Sequence, residues 1–242
     1  MQCAVPVAGV RRAASDDAMQ LTQMLWGESV NVFERKNGWA WVQLQRDGYV
    51  GYVEDAALTT MTASASHRLV VRSSHLYPAP DLKTQPVIAV AMGSELPALA
   101  TSGDFIKLAS EHFVYAAHLN HPQPNDFVSV AEQFLHTPYL WGGKTVWGLD
   151  CSGLVQVALH AVGAKCLRDS DMQEQSLGHV VGPDDLRRGD LIFWKGHVGI
   201  MQDATTLLHA NGHHMMVVSE PLRTAVDRIA ARGSAITSLK RL

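Results

Sequence analysis

Residues 149–154, with the sequence Leu-Asp-Cys-Ser-Gly-Leu, place Cys151 at the predicted start of a helix. Residues 189–194, Gly-Asp-Leu-Ile-Phe-Trp, then lead into two predicted strands that carry His197 and His209. A thiol followed by two imidazoles is the set of groups that covalent catalysis by cysteine requires, because a base must accept the thiol proton. The pattern therefore predicts a catalytic site in which Cys151 is the nucleophile.

The predicted position of Cys151 at a helix N-terminus bears on its reactivity. Unpaired backbone amides there carry partial positive charge, which lowers the pKa of a cysteine and favours the thiolate. A single cysteine at a helix start is more often a small buried residue, and only the surrounding motif favours catalysis. Cys3 and Cys166 lie in no such motif, and we expect both to be packing residues.

The relative position of the two histidines depends on the hairpin loop between their strands. A three-residue loop at 202–204 pairs His197 with His209 on one face, with Cβ atoms roughly 5 Å apart. A two-residue loop places them on opposite faces. The three-residue loop predicts a relay in which His197 takes the proton of Cys151 and His209 orients His197. The Cys151 amide and a group from Tyr139 are the expected oxyanion donors.

A metal site formed by His209, His213 and His214 is an alternative use of the histidines. Their spacing supplies no matching acidic residue or cysteine as a further ligand, so we expect no metal. No other motif points to a cofactor.

The composition excludes several function classes. The chain has 242 residues, a formal net charge of −3 and 18% charged residues. It contains no basic run of the kind that binds nucleic acid and no apolar window of about 18 residues that would span a membrane. Three cysteines are too few for a disulfide framework. Because residues 1–10 lack the features of a secretory signal, we expect a cytosolic protein of undetermined oligomeric state.

Residues 1–60 are predicted to form a small all-β barrel. Strand-like alternation at 29–33, 39–44 and 49–53 is interrupted by the turn sequences Lys-Asn-Gly and Arg-Asp-Gly. Short strands at this spacing are typical of small barrels.

Residues 67–120 are predicted to form a second barrel of the same kind. The segment 91–96 echoes the segment 25–30, so the N-terminal half contains a weak internal repeat. Linkers are expected at 60–66, which is rich in small polar residues, and at 120–125, which contains two prolines.

Residues 126–242 are predicted to form an α+β domain. Asp126 is suited to cap a helix over 127–135, and the apolar spacing of residues 151–162 indicates a second helix. From Leu191 onwards the pattern is that of strands. A helical half followed by a strand-rich half is typical of the α+β class.

The motifs of this domain resemble those of the NlpC family of bacterial cell-wall cysteine peptidases, which have a papain-like fold. Four stretches match the family signature in order: 138–143 (Pro-Tyr-Leu-Trp-Gly-Gly), 150–154 (Asp-Cys-Ser-Gly-Leu), 189–193 (Gly-Asp-Leu-Ile-Phe) and 197–200 (His-Val-Gly-Ile). The resemblance implies that Cys151 is the nucleophile, His197 the general base and His209 the orienting residue. It also implies that Tyr139 lies beside the nucleophile.

The N-terminal repeats resemble the bacterial SH3-like domains of one subgroup of this family, with matches at 22–28 and 47–53. Members of the subgroup are γ-D-glutamyl-L-diamino acid endopeptidases, which cut cell-wall stem peptides after D-Glu and require a free N-terminal L-Ala. The resemblance implies substrate-binding roles for a set of residues from both halves of the chain: Glu28, Tyr49, Tyr139, Asp150, Ser152, Asp169 and Ser170.

Recognition of a free amine has a simple physical basis. An ammonium group requires carboxylates, and Glu28 and Asp169 are the expected ones. The first barrel is expected to exclude substrates with further residues ahead of L-Ala by steric clash. The alternative for Glu28 is a turn carboxylate exposed to solvent.

We therefore predict a cytosolic cysteine peptidase that hydrolyses the γ-D-glutamyl–diaminopimelate bond of murein peptides in cell-wall recycling, without a cofactor. One alternative is a peptidoglycan-binding module, and another is an amidase or acyltransferase acting on lipids. The complete set of Cys151, His197 and His209 favours catalysis over binding alone. The two carboxylates, Glu28 and Asp169, favour an amine-bearing substrate over a lipid.

Overall fold

The structure is a computed structural model that describes residues 1–60, 65–119 and 124–242. The chain divides into two units, Met1–Gln123 and Pro124–Leu242. The linkers predicted at 60–66 and 120–125 lie largely outside the described residues. Within those residues, no helix has both the length and the apolar character needed to cross a membrane.

The first segment of the N-terminal unit contains seven strands: β1 (Gln2–Cys3), β2 (Val7–Arg11), β3 (Gln20–Leu25), β4 (Val30–Lys36), β5 (Trp39–Leu44), β6 (Val50–Glu54) and β7 (Leu58–Thr59). Five of them form an antiparallel sheet in the order β3-β2-β6-β5-β4. On β5, Ala40, Val42 and Leu44 are buried whereas the residues between them are partly exposed, which confirms the predicted alternation.

This sheet is open. Among the described residues, β3 and β4 are its edges and do not pair with each other. Strand β1 pairs with β7, Gln2 bridges to Ser29, and the Val30 amide donates to the Met1 carbonyl over 2.9 Å. The predicted closed barrel is therefore not shown, because Met1 occupies the hydrogen-bonding groups of Val30 at the start of β4.

The second segment has seven shorter strands: β8 (His67–Arg68), β9 (Ser73–Leu76), β10 (Ile88–Ala91), β11 (Glu95–Leu96), β12 (Ala98–Ser102), β13 (Phe105–Leu108) and β14 (Phe113–Tyr115). They pair as β8-β11, β9-β10 and β12-β13-β14 around a core that includes Leu69, Leu76 and Leu96. In the part of the chain that is described, these small sheets do not close into the predicted second barrel. The strands are too short to pair continuously around a ring, and a bulge interrupts the β12–β13 register.

The internal repeat inferred from the sequence has a structural counterpart. Gly27 and Gly93 occupy equivalent turns with φ of 78° and 89°, a backbone region that favours glycine. In each turn, the amide of the next residue, Glu28 or Ser94, donates to the carbonyl three residues earlier. The two turns also contact each other, since the Glu95 amide donates to the Trp26 carbonyl over 2.8 Å.

The C-terminal unit contains four α-helices and eight strands among its described residues: α1 (Phe127–Glu132), β15 (Lys144–Thr145), β16 (Gly148–Leu149), α2 (Cys151–Ala161), α3 (Ser170–Ser176), β17 (His179–Val180), β18 (Leu191–Trp194), β19 (His197–Met201), β20 (Thr206–Asn211), β21 (Met216–Pro221), α4 (Leu222–Ala230) and β22 (Ile236–Arg241). Six strands form an antiparallel sheet in the order β17-β22-β18-β19-β20-β21. Helix α2 packs against β19 and β20, which gives the predicted α+β arrangement.

The helices match the predictions in part. Asp126 caps α1 through a hydrogen bond from the Val128 amide (2.9 Å), as predicted, but α1 ends at Glu132 and not at 135. Helix α2 agrees with the prediction to within one residue. The prediction of strands alone after Leu191 is wrong, because α4 follows β21. Its apolar residues at 222, 225, 226 and 229 have helical spacing and pack against the sheet.

Candidate active site

Cys151 is the first residue of α2 and is almost completely buried, with 8% of its surface exposed. Asp150 is the N-cap, and its Oδ1 accepts a hydrogen bond from the Gly153 amide over 2.7 Å. The amides of Ser152 and Val198 lie close enough to the Cys151 sulfur to favour its thiolate form. Because Val198 directly follows His197, this contact brings the beginning of β19 to the beginning of α2.

The pKa of Cys151 differs from the sequence-based expectation. Burial raises the pKa of the thiol to about 11, and the negative charge of Asp150 adds to this effect. The amides of Val198 and Ser152 and the charge of Arg168 act in the opposite direction but do not outweigh burial. The group therefore rests as a thiol and requires a base to remove its proton.

Asp150 and Ser152, predicted to contact substrate, belong to a buried network centred on Arg168. Arg168 is 1% exposed, and its guanidinium donates to Asp150 Oδ2 (2.7 Å), Ser152 Oγ (2.8 Å) and the Gly143 carbonyl (3.3 Å). Asp150 Oδ2 also accepts from the Gly142 amide (2.8 Å). The network holds the residues on both sides of Cys151, and no sequence motif had indicated a role for Arg168.

The hairpin that carries the two histidines has a longer loop than predicted. Met201 pairs with Leu207, and the loop between the two strands spans residues 202–205, so the predicted pairing of positions 197 and 209 is wrong. The register is shifted by two positions, which keeps both histidines on the same face because side chains alternate along a strand. His197 Nε2 lies 2.8 Å from His209 Nδ1, as the predicted relay requires.

One residue beyond the predicted triad extends this relay. Glu220 Oε1 lies 2.8 Å from His209 Nε2. Arg228 donates to both carboxylate oxygens of Glu220, over 2.7 and 2.6 Å. The pairing of β20 with β21 places Glu220 opposite Leu207, whose side chain lies on the same face of the sheet as that of His209. The alternation of side chains along the two strands is the sequence signal that could have identified Glu220.

These contacts assign the protons of the two imidazoles. A carboxylate only accepts hydrogen bonds, so His209 carries its proton on Nε2 and donates it to Glu220. Nδ1 of His209 is then an acceptor, and Nε2 of His197 donates to it. Nδ1 of neutral His197 therefore keeps a free lone pair for the proton of a nucleophile.

Burial controls the charge of this relay. It lowers the pKa of His197 to about 3, and the neighbouring His209 ring and the positive charge of Arg228 lower it further. Burial opposes ionisation of Glu220, but hydrogen bonds from Arg228 and His209 outweigh burial and hold the pKa of this carboxyl well below its usual range. At neutral pH the site thus combines a neutral His197 with an anionic Glu220.

Tyr139 is close to the nucleophile and partly buried. Burial raises the pKa of its phenol above the usual range, and the neighbouring Cys151 and Asp150 raise it further. The phenol therefore stays protonated and remains a hydrogen-bond donor.

Asp169 and Ser170 lie where the chain enters α3, with Asp169 at the N-cap position and Ser170 as the first helical residue. Gln173 ties this turn to α2, because its Nε2 donates to the carbonyls of Ser152 and Leu167, both over 2.9 Å. The turn is thus fixed relative to the helix that presents Cys151.

Glu28 and Tyr49 belong to the N-terminal unit. Glu28 is 2% exposed; its Oε2 accepts from the Leu25 amide (2.8 Å) and its Oε1 pairs with Arg46 (3.1 Å). The alternative of a solvent-exposed turn carboxylate is therefore wrong. Tyr49 is partly buried, and its amide donates to Asp47 Oδ1 over 3.0 Å.

The histidines considered as metal ligands have other contacts. His209 is bonded within the relay, and the rings of His213 and His214 pack edge to face with centroids 4.6 Å apart. In the described ranges, no cluster of three or more His, Cys, Asp or Glu side chains is suited to hold a metal ion.

Comparison with known families and relatives agrees with this geometry. Residues 10–58 match the bacterial dipeptidyl-peptidase SH3 domain, and residues 136–228 match the NlpC/P60 family. A dipeptidyl-peptidase 6 from Lysinibacillus sphaericus is 27% identical over 215 residues, which cover 78% of this chain and 79% of the relative. A gamma-D-glutamyl-L-lysine dipeptidyl-peptidase from Bacillus subtilis (strain 168) is 28% identical over 222 residues, which cover 81% and 73%.

A solved structure shows the same fold. The crystal structure of an NlpC/P60 family protein from Bacillus cereus ATCC 10987 aligns with a TM-score of 0.84, at 21% identity, over 99% of this chain and 98% of that one. The thiol on α2 and the paired imidazoles on β19 and β20 lie in the part of the chain that matches this family. The chain contains an NlpC/P60 cysteine peptidase domain and an N-terminal SH3-like domain.

Proposed function

We propose that this peptidase hydrolyses the amide bond between the γ-carboxyl of D-Glu and a diamino acid in murein peptides that begin with a free L-Ala. The observation that carries the proposal is the hydrogen-bonded series from Glu220 through His209 to His197, at the start of the strand that contacts Cys151. The bond specificity is inferred from the relatives, two of which are named gamma-D-glutamyl-L-lysine dipeptidyl-peptidases. We further propose that the enzyme acts in the cytoplasm on fragments released during cell-wall recycling.

The proposed reaction has two halves, acylation of Cys151 and hydrolysis of the resulting thioester, and His197 transfers protons in both. His197 Nδ1 accepts the proton of Cys151 as the sulfur attacks the γ-carbonyl carbon of D-Glu. The backbone amide of Cys151 and the Tyr139 phenol are the proposed donors to the oxyanion, and the phenol is suited to this role because it stays protonated. His197 then donates its proton to the leaving amine, which gives a thioester; water, deprotonated by His197, hydrolyses the thioester and restores the thiol.

The proposed recognition of the free amine requires a carboxylate near the N-terminus of the substrate. Asp169, at the turn that Gln173 ties to α2, is a proposed carboxylate for the ammonium group. Roles for Ser170, Glu28 and Tyr49 in substrate binding are proposed from the resemblance. We also propose that the segment 67–119 is a second SH3-like module, because its Gly93 turn repeats the Gly27 turn.

The test is mass spectrometry of the products formed from L-Ala-γ-D-Glu-diaminopimelate and from the same peptide acetylated on its N-terminus. We expect cleavage of the free peptide only, with release of L-Ala-D-Glu. Cleavage of both peptides would contradict the amine requirement, and cleavage of neither would contradict the proposed substrate.

Cys151→Ala is the first prediction and the control for this assay. We expect it to abolish turnover, because no other group in the site replaces the sulfur, and to leave the unfolding temperature within a few degrees of that of the wild type. Retained cleavage by this variant would contradict covalent catalysis by Cys151.

A further inference from the structure

A cavity of about 390 Å³ opens beside the catalytic histidines within the C-terminal unit. Its wall includes His197 and His209, and it includes Trp194, whose ring centroid lies 5.5 Å from that of His197. A space of this size is sufficient for an amino-acid residue. The cavity therefore offers room for a part of the substrate next to the proposed general base.

The cavity has an excess of positive charge. Lys195, Arg228 and Arg232 line it, and no carboxylate is found among the described residues of its wall. The charge of Arg228 is balanced by Glu220 through two short hydrogen bonds. Lys195 and Arg232 are exposed, and neither forms an ion pair with another residue in the described ranges. Two positive charges are thus left for an anionic group.

The chemistry of the proposed reaction identifies what enters this cavity. His197 must donate its proton to the nitrogen of the leaving amine, so the leaving residue has to lie on the side of the site where His197 lies. If that residue is lysine, its side chain ends in an ammonium group, which Lys195 and Arg232 repel. If it is diaminopimelate, its side chain also carries a carboxylate, which the same two cations attract.

We propose that this cavity binds the leaving residue and that Lys195 and Arg232 bind the side-chain carboxylate of diaminopimelate, so that the enzyme prefers diaminopimelate to lysine. The inference rests on the proposed function and adds a preference for the residue whose amine is the leaving group. It differs from the names of two relatives, which refer to lysine.

The experiment compares kcat/KM for L-Ala-γ-D-Glu-diaminopimelate and L-Ala-γ-D-Glu-L-Lys with the full-length wild type, Lys195→Gln, Arg232→Gln and Arg232→Glu. We expect the wild type to favour the diaminopimelate peptide and each Gln variant to reduce that ratio roughly three- to tenfold, the effect of one charge-assisted hydrogen bond at an accessible site. Arg232→Glu should reduce the ratio further, because it attracts the lysine ammonium. Arg223→Gln is the matched control, since Arg223 lies on α4, its side chain is 86% exposed and it does not line the cavity.

The outcomes separate the two proposals. Cleavage of both peptides with equal efficiency, or a ratio that Lys195→Gln and Arg232→Gln leave unchanged, would overturn the leaving-side inference and retain the proposed function. A ratio that Arg223→Gln lowers equally would also overturn it, because a general charge effect would then be sufficient. Failure to cleave either peptide would overturn both proposals.

Discussion

At the residue scale, the thiol of Cys151 is subject to two opposing effects. Its place at the N-terminus of α2 provides amide donors that favour a thiolate, but burial and the neighbouring Asp150 favour the thiol more strongly. Burial likewise lowers the pKa of His197, so this imidazole stays neutral until it accepts the proton of the thiol. The site therefore holds a neutral thiol and a neutral imidazole at rest, and the charges form during attack.

This resting state predicts the pH dependence of alkylation of the free enzyme. Since the pKa of Cys151 is raised to about 11, the reactive thiolate is scarce at neutral pH and increases as the pH rises. We expect the rate of iodoacetamide modification, followed by mass spectrometry of the Cys151 peptide, to increase about tenfold per pH unit between pH 7 and 10. A rate that is constant from pH 5 to 8 would instead indicate a preformed thiolate–imidazolium pair.

Glu220 is predicted to be a positioning residue that acts through His209. In Glu220→Gln, an amide can donate as well as accept, so His209 is no longer held with its proton on Nε2 and His197 loses its defined acceptor nitrogen. We expect kcat to fall on the order of 10²-fold with little change in KM, and the acid side of the kcat–pH profile to shift. Asp227→Asn, on the exposed side of α4, is the control; an equal loss in both variants would contradict the relay.

At the element scale, the hairpin of β19 and β20 shows why a wrong register still gave the correct contact. Asp203 Oδ1 accepts from the amides of Thr205 (2.7 Å) and Thr206 (2.8 Å), and this Asx turn lengthens the loop. The resulting shift is an even number of positions, so His209 stays on the face of His197. An odd shift would have moved it to the opposite face.

The Arg168 network joins the loop before α3 to the beginning of α2. Replacing Arg168 by Gln leaves Asp150 buried without its guanidinium partner, which costs on the order of 3–5 kcal/mol for a buried pair. We expect Arg168→Gln to lower the free energy of unfolding, measured in urea, by about this amount. Arg223→Gln, which removes an exposed pair, should change it by less than about 1 kcal/mol; a similar small effect for Arg168→Gln would contradict the network's structural role.

At the scale of the whole molecule, the buried relay makes stability depend on pH. The pKa of His197 is lowered to about 3, whereas an exposed histidine titrates near 6.5, so between these values the unfolded chain binds a proton that the folded chain does not. The free energy of unfolding therefore falls as the pH decreases from about 6.5 to 3. Glu220 acts in the same direction, because its stabilising charge is lost on acidification.

This linkage predicts a difference between two histidine variants. Between pH 6.5 and 4.5, His197→Gln should reduce the dependence of the unfolding free energy on pH, because it removes one group that is protonated only in the unfolded chain. His179→Gln, at an exposed position on β17, should leave that dependence unchanged. Equal slopes for wild type and His197→Gln in urea unfolding would contradict a buried neutral imidazole.

Local signals in the sequence were sufficient for several features. The apolar spacing of 151–162 and the alternation at 39–44 depend on interactions within a few residues, so α2 and β5 were predicted nearly to their ends. The catalytic roles of Cys151, His197 and His209 also came from local motifs, and they stay predictions. Helix α4 has equally local spacing and was missed because strands were expected throughout that region.

The sequence by itself determined the residue types of the relay, the position of Cys151 at a helix start and the α+β class of the domain, because these depend on periodicity and capping. Only the tertiary structure determined that Arg168 holds Asp150, that Glu220 extends the relay and that burial outweighs the helix terminus in the pKa of Cys151. Each of these depends on desolvation or on contacts between residues distant along the chain. The strength of these effects depends on how completely the folded chain excludes water, and no local sequence pattern carries that information.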